Sequence, residues 1–469
     1  MEEPQVPDIT TIQTDLAERI QAELGQNVYL CYQCIKCTSG CPLSNFFDWQ
    51  PNQIMRAIQF GQEDIALESQ TPWLCAACQT CTTRCPQNLD INAIMEFLTR
   101  EAGERGIEPQ VPEVGIFNEA FMREVKLWGR SYELGVMGEM KLRTGDLLGD
   151  LDLGMRMLPK GKLAILPSRG RRPRKVKPVS GAATSIAYYP GCSLHSTATE
   201  LDTSTRAVCD ALGLDLVEPK DWLCCGSSAA HRVDPQEAVR LPMENLSMIE
   251  EAGFREVTMP CAACFNRHKT ALFDIREDPQ SKAQVEQDIG RSYQDRVQVN
   301  TLLDTILGHV GIEELGERVT KPLEGLAVVS YYGCLLTRPP QVTEAEHPEN
   351  PTGMDELLHA LGAEVHDWSY KTSCCGAAHF LTRPDIVLEL GHSLIDHARE
   401  AGAEVIAVAC PLCHANLDAR QFQMELEEPL PILYFTQLMA LALGLPEKAA
   451  SLNKNLVDPR PYLHRKGFV

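Results

Sequence analysis

Eight cysteines of this chain sit in two copies of one tight motif. Cys31-x2-Cys34-x2-Cys37-x3-Cys41-Pro42 recurs 44 residues later as Cys75-x2-Cys78-x2-Cys81-x3-Cys85-Pro86. Thiolates are the ligands that hold iron–sulfur clusters, and two-residue gaps let one short loop offer three sulfurs to one cubane. In two-cluster ferredoxins the fourth cysteine of such a run ligates the other cluster. Cys31, Cys34, Cys37 and Cys85 are therefore expected to hold one 4Fe–4S cluster. Cys75, Cys78, Cys81 and Cys41 are expected to hold a second. The competing chemistry is a pair of zinc sites. Zinc prefers separated C-x2-C pairs, whereas here four cysteines crowd into eleven residues, twice.

Ten further cysteines form two sets of five. Cys192, Cys224, Cys225, Cys261 and Cys264 follow the pattern C-x31-CC-x35-C-x2-C. Cys334, Cys374, Cys375, Cys410 and Cys413 follow C-x39-CC-x34-C-x2-C. Equivalent cysteines are offset by 142, 150 and 149 residues, which reads as a duplicated unit. Five thiolates exceed the four that tetrahedral zinc or a simple cubane needs, so a larger or irregular cluster is expected. One zinc plus a spare buried cysteine per half is the plainer alternative. Gly226 and Gly376, which follow the cysteine pairs, are expected to remove a side chain where backbone and cluster approach. Cys209 belongs to no motif and reads as a buried structural thiol within a helix.

Elements must position these sulfurs. Helical periodicity flanks the first motifs: Pro51 opens a segment with Ile54, Met55 and Ile58 on one face, and residues 89–105 continue with Ile91, Ile94, Met95 and Leu98. A helical dicluster domain is expected over residues 10–110. Residues 111–183 show helix near 117–133 and then a basic linker. From residue 184 strands alternate with helices, and cysteines fall just past strand ends: 185–189 before Cys192, 256–259 before Cys261, 327–332 before Cys334 and 405–409 before Cys410. That placement collects thiols at one sheet edge, where open α/β sheets carry their sites. The expected fold class is α+β multidomain: a helical ferredoxin-like dicluster domain followed by two duplicated α/β cysteine-rich domains, at 184–320 and 321–469.

Bulk properties agree with a metal-binding chain of about three domains. A net charge of −21 over 469 residues argues against nucleic-acid binding. The stretch from Arg156 to Lys177 departs from this trend with nine basic residues. It reads as a solvated interdomain linker or as a docking strip for an acidic partner. The best candidate for a membrane span, the apolar run around 438–445, is too short to cross a bilayer. The start Met-Glu-Glu-Pro lacks the order of a signal peptide. A cytoplasmic location is expected, with membrane contact only through a partner. Nineteen cysteines in a long chain without a leader point to metal ligands rather than disulfides.

The residues now reached carry a family resemblance. Cys31-Tyr-Gln-Cys-Ile-Lys-Cys-Thr-Ser-Gly-Cys-Pro42 resembles the C subunit of heterodisulfide reductase. Tyr-Tyr-Pro-Gly-Cys192, Trp-Leu-Cys-Cys-Gly226, Pro-Cys-Ala-Ala-Cys264, Tyr-Tyr-Gly-Cys334 and Cys-Pro-Leu-Cys-His-Ala-Asn416 resemble its B subunit, with tandem CCG domains. The resemblance, absent over about 110–180, is to a C–B fusion like the family's D subunit. It implies that each five-cysteine set binds a non-cubane 4Fe–4S cluster, beside the two cubane clusters. It further implies a catalytic subunit in which the cubanes feed electrons to the two non-cubane sites, where a disulfide of the CoM-S-S-CoB type or a bacterial equivalent is reduced. The implied electron donor is a flavin- and iron–sulfur-containing A-type subunit, another oxidoreductase or a membrane cytochrome. His195, His231, His379 and His414 sit beside the ligands in sequence, as proton donors to product thiols or as groups that hydrogen-bond around the cluster. Two other readings share the architecture. One is the electron-relay subunit of a flavin dehydrogenase of the glycerol-3-phosphate, glycolate or lactate type. The other is a non-catalytic electron-transfer adaptor.

Overall fold

The computed structural model describes residues 15–171 and 176–469. Part of the basic stretch, Arg172 to Lys175, and residues 10–14 of the expected first domain lie outside the described residues. The chain divides into two compact units, residues 1–115 and 116–469.

The first unit is helical. Helices Asp15–Leu24, Pro51–Gln59 and Ile91–Glu104 pack through Ile20, Ile54, Met55, Ile58, Ile94 and Leu98, all fully buried. The second and third start where their sequence dictates. Pro51 occupies the first turn, where its missing N–H costs nothing, and Gln50 and Gln53 close a capping box around it. Asp90 accepts from the Ala93 N–H at 2.9 Å. The buried Glu101 carboxylate is met by Arg19 and Arg105.

The second unit holds two four-stranded sheets. The first comprises β1 (Ile186–Tyr188), β2 (Leu216–Val217), β3 (Glu256–Met259) and β4 (Gln298–Thr301). The second comprises β5 (Ala327–Tyr331), β6 (Glu364–Val365), β7 (Val405–Val408) and β8 (Ile432–Tyr434). Their orders are β2-β1-β3-β4 and β6-β5-β7-β8, with every pairing parallel. The two halves repeat one topology. β5 and β7 are buried along their whole length, as parallel strands covered on both faces must be. One hydrophobic core runs through both halves. Helix Thr199–Leu212 of the first half packs on helix Phe435–Ala442 of the second, and the Ser204 and Thr436 hydroxyls meet at 2.7 Å in that contact.

Helices Pro112–Trp128, Glu133–Thr144 and Leu151–Met157 precede the first sheet. The expected linker is anchored where it is described. Lys162 is buried against Glu200, and Arg169 lies over the Trp128 ring at 5.0 Å. The apolar run near 438 is the buried helix Phe435–Ala442. Among the described residues no helix is long and apolar enough to cross a membrane.

Candidate metal centres

The two motifs of the first unit share one backbone. Gln33 and Ile35 flank Cys34 with φ of 63° and 67°, and Ala77 and Gln79 flank Cys78 with 52° and 61°. None is glycine, and the left-handed region costs an L-residue about 1–2 kcal/mol. The same strained pair in both copies marks these loops as shaped for what they hold. The third cysteine of each run enters a short helix, Lys36–Ser39 or Thr80–Arg84, and these helices pack together. Cys41, Cys75, Cys78 and Cys81 line one cavity with Pro51, Ile91 and Asn92. Thr80 Oγ1 lies 3.4 Å from Cys78 Sγ. Burial and the neighbouring Cys75, Cys78 and Cys41 push the Cys81 thiol well above its usual range. In the other run burial lifts Cys37 to about 11, with Cys31 and Cys34 adding to the rise. Cys34 is exposed, and Gln33 Nε2 donates to Cys31 Sγ at 3.4 Å. Cys85 ends helix Thr80–Arg84, bonding back to Thr82.

In the second unit the thiols are gathered by the carboxyl ends of the central strands. Cys192 and Cys261 follow β1 and β3, and Cys334 and Cys410 follow β5 and β7. Cys264 and Cys413 lie in the first turns of the helices that begin there. Hydrogen-bond reach links Cys224 with Cys192 and Cys225, Cys225 with Cys264 (3.5 Å), and Cys264 with Cys261. It then crosses from Cys261 to Cys410, and continues through Cys413 to Cys375. The row of thiols thus passes from one half of the duplication into the other. Hydrogen bonds from Cys224 and Cys264 pull Cys225 well below the usual thiol range, and those from Cys261 and Cys413 do the same for Cys410. Cys374 is buried and accepts from the Gly376 N–H at 3.3 Å, and the half-buried Cys334 completes its set.

Glycine serves these sites at an unexpected position. A Cβ on Gly191 would lie 2.7 Å from Cys264 Sγ, and one on Gly333 would lie 2.8 Å from Cys413 Sγ. Both residues have positive φ, 75° and 72°, and both immediately precede the first cysteine of their set. Gly226 and Gly376 also adopt positive φ, but a Cβ there would meet Ala230 and Leu390 rather than sulfur. Those two are required by the turn and by helix packing.

The four expected histidines bond to protein groups. His195 Nε2 lies 3.1 Å from Glu218, and His231 Nε2 accepts from Arg267 at 2.9 Å. His379 Nδ1 lies 3.1 Å from the Thr382 hydroxyl. His414 stacks on Tyr434 and sits 3.1 Å from both Asn455 Nδ2 and the Ile432 carbonyl. Burial pushes His231 and His414 well below the usual imidazole range, with Arg267 and Lys162 respectively adding to the fall.

Sequence reasoning missed several residues around the sulfurs. Tyr189 and Tyr331, each three residues before the first cysteine of its set, donate at 2.6 Å to the carbonyls of Leu223 and Ser373, which precede the cysteine pairs. Their matching place in the duplication was the available signal. His268, one helical turn after Cys264, bonds its carbonyl at 2.7 Å and acts electrostatically on Cys225. Asn416 donates to the Cys375 carbonyl at 2.7 Å and lies 3.5 Å from its sulfur. Arg130 stacks 3.6 Å over Trp222 and brings a buried cation within electrostatic reach of Cys192. Nothing near residue 130 in the sequence announced it.

Among the described residues no group of three or more His, Cys, Asp or Glu is arranged to hold a single metal ion. The donor sets are sulfur, largely buried, and spread around a volume instead of a point. Gly191 and Gly333 keep the backbone against that sulfur. This chemistry fits iron–sulfur clusters.

Comparison with known proteins agrees. The sequence model of a 4Fe-4S dicluster domain matches residues 30–90, and that of a cysteine-rich domain, CCG, matches residues 186–267 and 328–418. The chain is 32% identical over 280 residues to the 8-methylmenaquinol:fumarate reductase membrane anchor subunit of Wolinella succinogenes, covering 58% of this chain and 97% of that one. It is 26% identical over 288 residues to the B subunit of the ferredoxin/F420H2-dependent CoB-CoM heterodisulfide reductase of Methanosarcina acetivorans, covering 59% and 95%. A crystal structure of a hypothetical protein from Helicobacter pylori shares the fold, with a TM-score of 0.50 and 10% identity over 69% of this chain and 60% of that one.

Proposed function

Since the chain belongs to the cysteine-rich family that includes the B subunits of heterodisulfide reductases, here behind a 4Fe-4S dicluster domain, we propose that it is the component of a reductase complex at which a disulfide is reduced. The observation that carries this reading is the contact between Cys261 and Cys410. It joins two five-thiol sets that the duplication made alike. Reducing a disulfide consumes two electrons and two protons and yields two thiols. Paired one-electron sites at one junction match that need.

Cys31, Cys34, Cys37 and Cys85, and Cys41, Cys75, Cys78 and Cys81, would hold two cubane clusters. Cys192, Cys224, Cys225, Cys261 and Cys264, and Cys334, Cys374, Cys375, Cys410 and Cys413, would hold two non-cubane clusters. The clusters, when bound, supply one-electron chemistry. The protein excludes water, holds the two sets together and handles protons. Tyr434 stands at this junction: among the described residues its buried hydroxyl has no hydrogen-bond partner, and burial, with Glu200, Cys410, Asp418 and Cys261 adding to the rise, holds its proton well above the usual phenol range. The implied partner is a flavin- and iron–sulfur-containing protein that delivers electrons to the first unit.

The test is disulfide-dependent oxidation of a reduced viologen by the anaerobically purified chain, with iron counted in parallel. Four clusters predict about 16 iron atoms per chain. Full iron without turnover on any disulfide would leave the chain an adaptor. The Wolinella relative favours one second reading, a relay that exchanges electrons with a quinol. In that case the reduced chain would be oxidised by a menaquinone analogue and not by disulfides.

A further inference from the structure

The two five-cysteine sets match in number and topology, but the charge packed around them does not match. In each half one arginine donates to the carbonyl two residues before the cysteine pair. Arg338 Nη1 donates to the Thr372 carbonyl at 2.7 Å, and Arg130 Nε to the Trp222 carbonyl at 3.1 Å. Trp222 and Thr372 are offset by 150 residues, as are the pairs that follow them. In the second half the arginine belongs to the repeat, four residues after Cys334. In the first it comes from outside the repeat. There the Gly129 carbonyl accepts the Cys224 N–H at 2.8 Å, and Phe121, Met122 and Val125 of helix Pro112–Trp128 pack in one cluster with Cys224 and Cys192.

The surroundings compensate one arginine and not the other. Arg338 is held by Glu349 at 2.7 Å. Other buried bases of the second half are paired too, Lys371 with Asp355 at 2.9 Å and Arg420 with Asp150 at 2.8 Å. Arg130 is buried 3.6 Å over the Trp222 ring, and among the described residues no carboxylate lies within ion-pair distance of it. Cys192 acts on its charge more strongly than Glu218 or Asp221 does, and Glu218 is already held by Arg206 at 2.6 Å. Arg267 repeats the pattern. It is buried, three residues after Cys264 on the same helix, and donates to His231 at 2.9 Å, again with no carboxylate within ion-pair distance among the described residues. The matching position of the second half is the neutral Asn416, and Leu417 stands where the first half has His268.

A cluster that accepts an electron gains a negative charge, and its potential follows the net charge and hydrogen bonding around it. The ligand charge is the same in both sets, five cysteines each. An uncompensated buried cation therefore stabilises the reduced form on the first set alone. We propose that Arg130 makes the set of Cys192, Cys224, Cys225, Cys261 and Cys264 the stronger electron acceptor of the two, so that it fills before its twin. The first electron is then held there until the second, less favourable site is loaded and two electrons are available together. This ordering requires a cluster in each set and is independent of which oxidant the chain finally reduces.

An anaerobic redox titration of the full-length, iron-loaded chain with dithionite, followed by EPR and Mössbauer spectroscopy with no disulfide present, measures the order. The wild-type five-cysteine sites are expected to fill in two one-electron steps at least about tenfold apart in equilibrium constant, which is about 59 mV. Arg130→Gln should lower the higher step by about tenfold and leave the lower step and both cubane steps in place. Arg130→Lys keeps the charge and should hold the higher step within about threefold of wild type. One shared potential for both sites in the wild type would overturn the proposal, even if the variants fail to load iron. So would an unmoved higher step in Arg130→Gln at full iron content, a shift of the lower step instead, or an equal shift in Arg130→Lys, which would assign Arg130 to packing alone. Wild-type iron of about 8 atoms per chain would instead remove the paired clusters themselves, and the disulfide reading with them.

Discussion

Two glycines decide how close backbone can come to sulfur in the second unit. Gly191→Ala would place a methyl 2.7 Å from Cys264 Sγ, and Gly333→Ala one 2.8 Å from Cys413 Sγ, each on a backbone with positive φ. Each substitution is expected to cost the protein one cluster, lowering iron from about 16 to about 12 atoms per chain while the first unit keeps its cubanes. Iron and sulfide analysis checks this, and full loading of either variant would show that the close approach is dispensable. Ile35 offers the opposite change. Its β-branched side chain occupies the left-handed region at φ 67°, so Ile35→Gly should stabilise the first unit against denaturant by about 1 kcal/mol. The grouping of the cysteines was legible at this scale because cysteine spacing is a direct record of loop geometry. The need for Gly191 and Gly333 was not, because it depends on sulfurs some 70 and 80 residues away in sequence.

At the scale of elements, the helix Leu151–Met157 is fastened to the turn that follows Cys413 by one buried ion pair. Arg420 is fully buried and grips Asp150 and the Phe380 carbonyl. Arg420→Met leaves Asp150 without its cation and should cost about 3 kcal/mol in denaturant unfolding. Asp418, nearby in sequence, gives a pH signature. Burial raises its carboxyl to about 6, with Glu200 adding to the rise and Lys162 and the N–H groups of Leu456 and Val457 opposing it. A carboxyl raised in the folded state contributes stability that is present below its unfolded value, near 4, and is lost as pH rises through about 6. The stability of the wild type relative to Asp418→Asn should therefore fall by about 3 kcal/mol between about pH 4 and 6 and level off above. A flat difference would mean that Asp418 stays ionised throughout. The strands leading to cysteines were legible because each apolar run stops at a motif. The edge strands β4 and β8 were not. Gln298–Thr301 is short and polar, and Ile432–Tyr434 has three residues, too few to show a period.

Across the whole molecule, the duplication does what neither half could do alone. Repeating one four-stranded topology brings equivalent sheet edges together, so Cys261 of one half meets Cys410 of the other. The repeat was readable from cysteine offsets, but the meeting of the halves was not. It rests on helix Thr199–Leu212 packing against helix Phe435–Ala442, and on Asn266 reaching the carbonyls of Leu335 and Arg338 at 3.2 and 2.8 Å. Such contacts depend on shape and leave no periodic trace in sequence. The paired arrangement is most directly tested by rapid-freeze EPR and Mössbauer spectroscopy of the fully reduced chain mixed with a disulfide. Both five-cysteine sites are expected to change together, each releasing one electron as one disulfide is consumed. A spectrum in which only one of the two sites changes during turnover would contradict it.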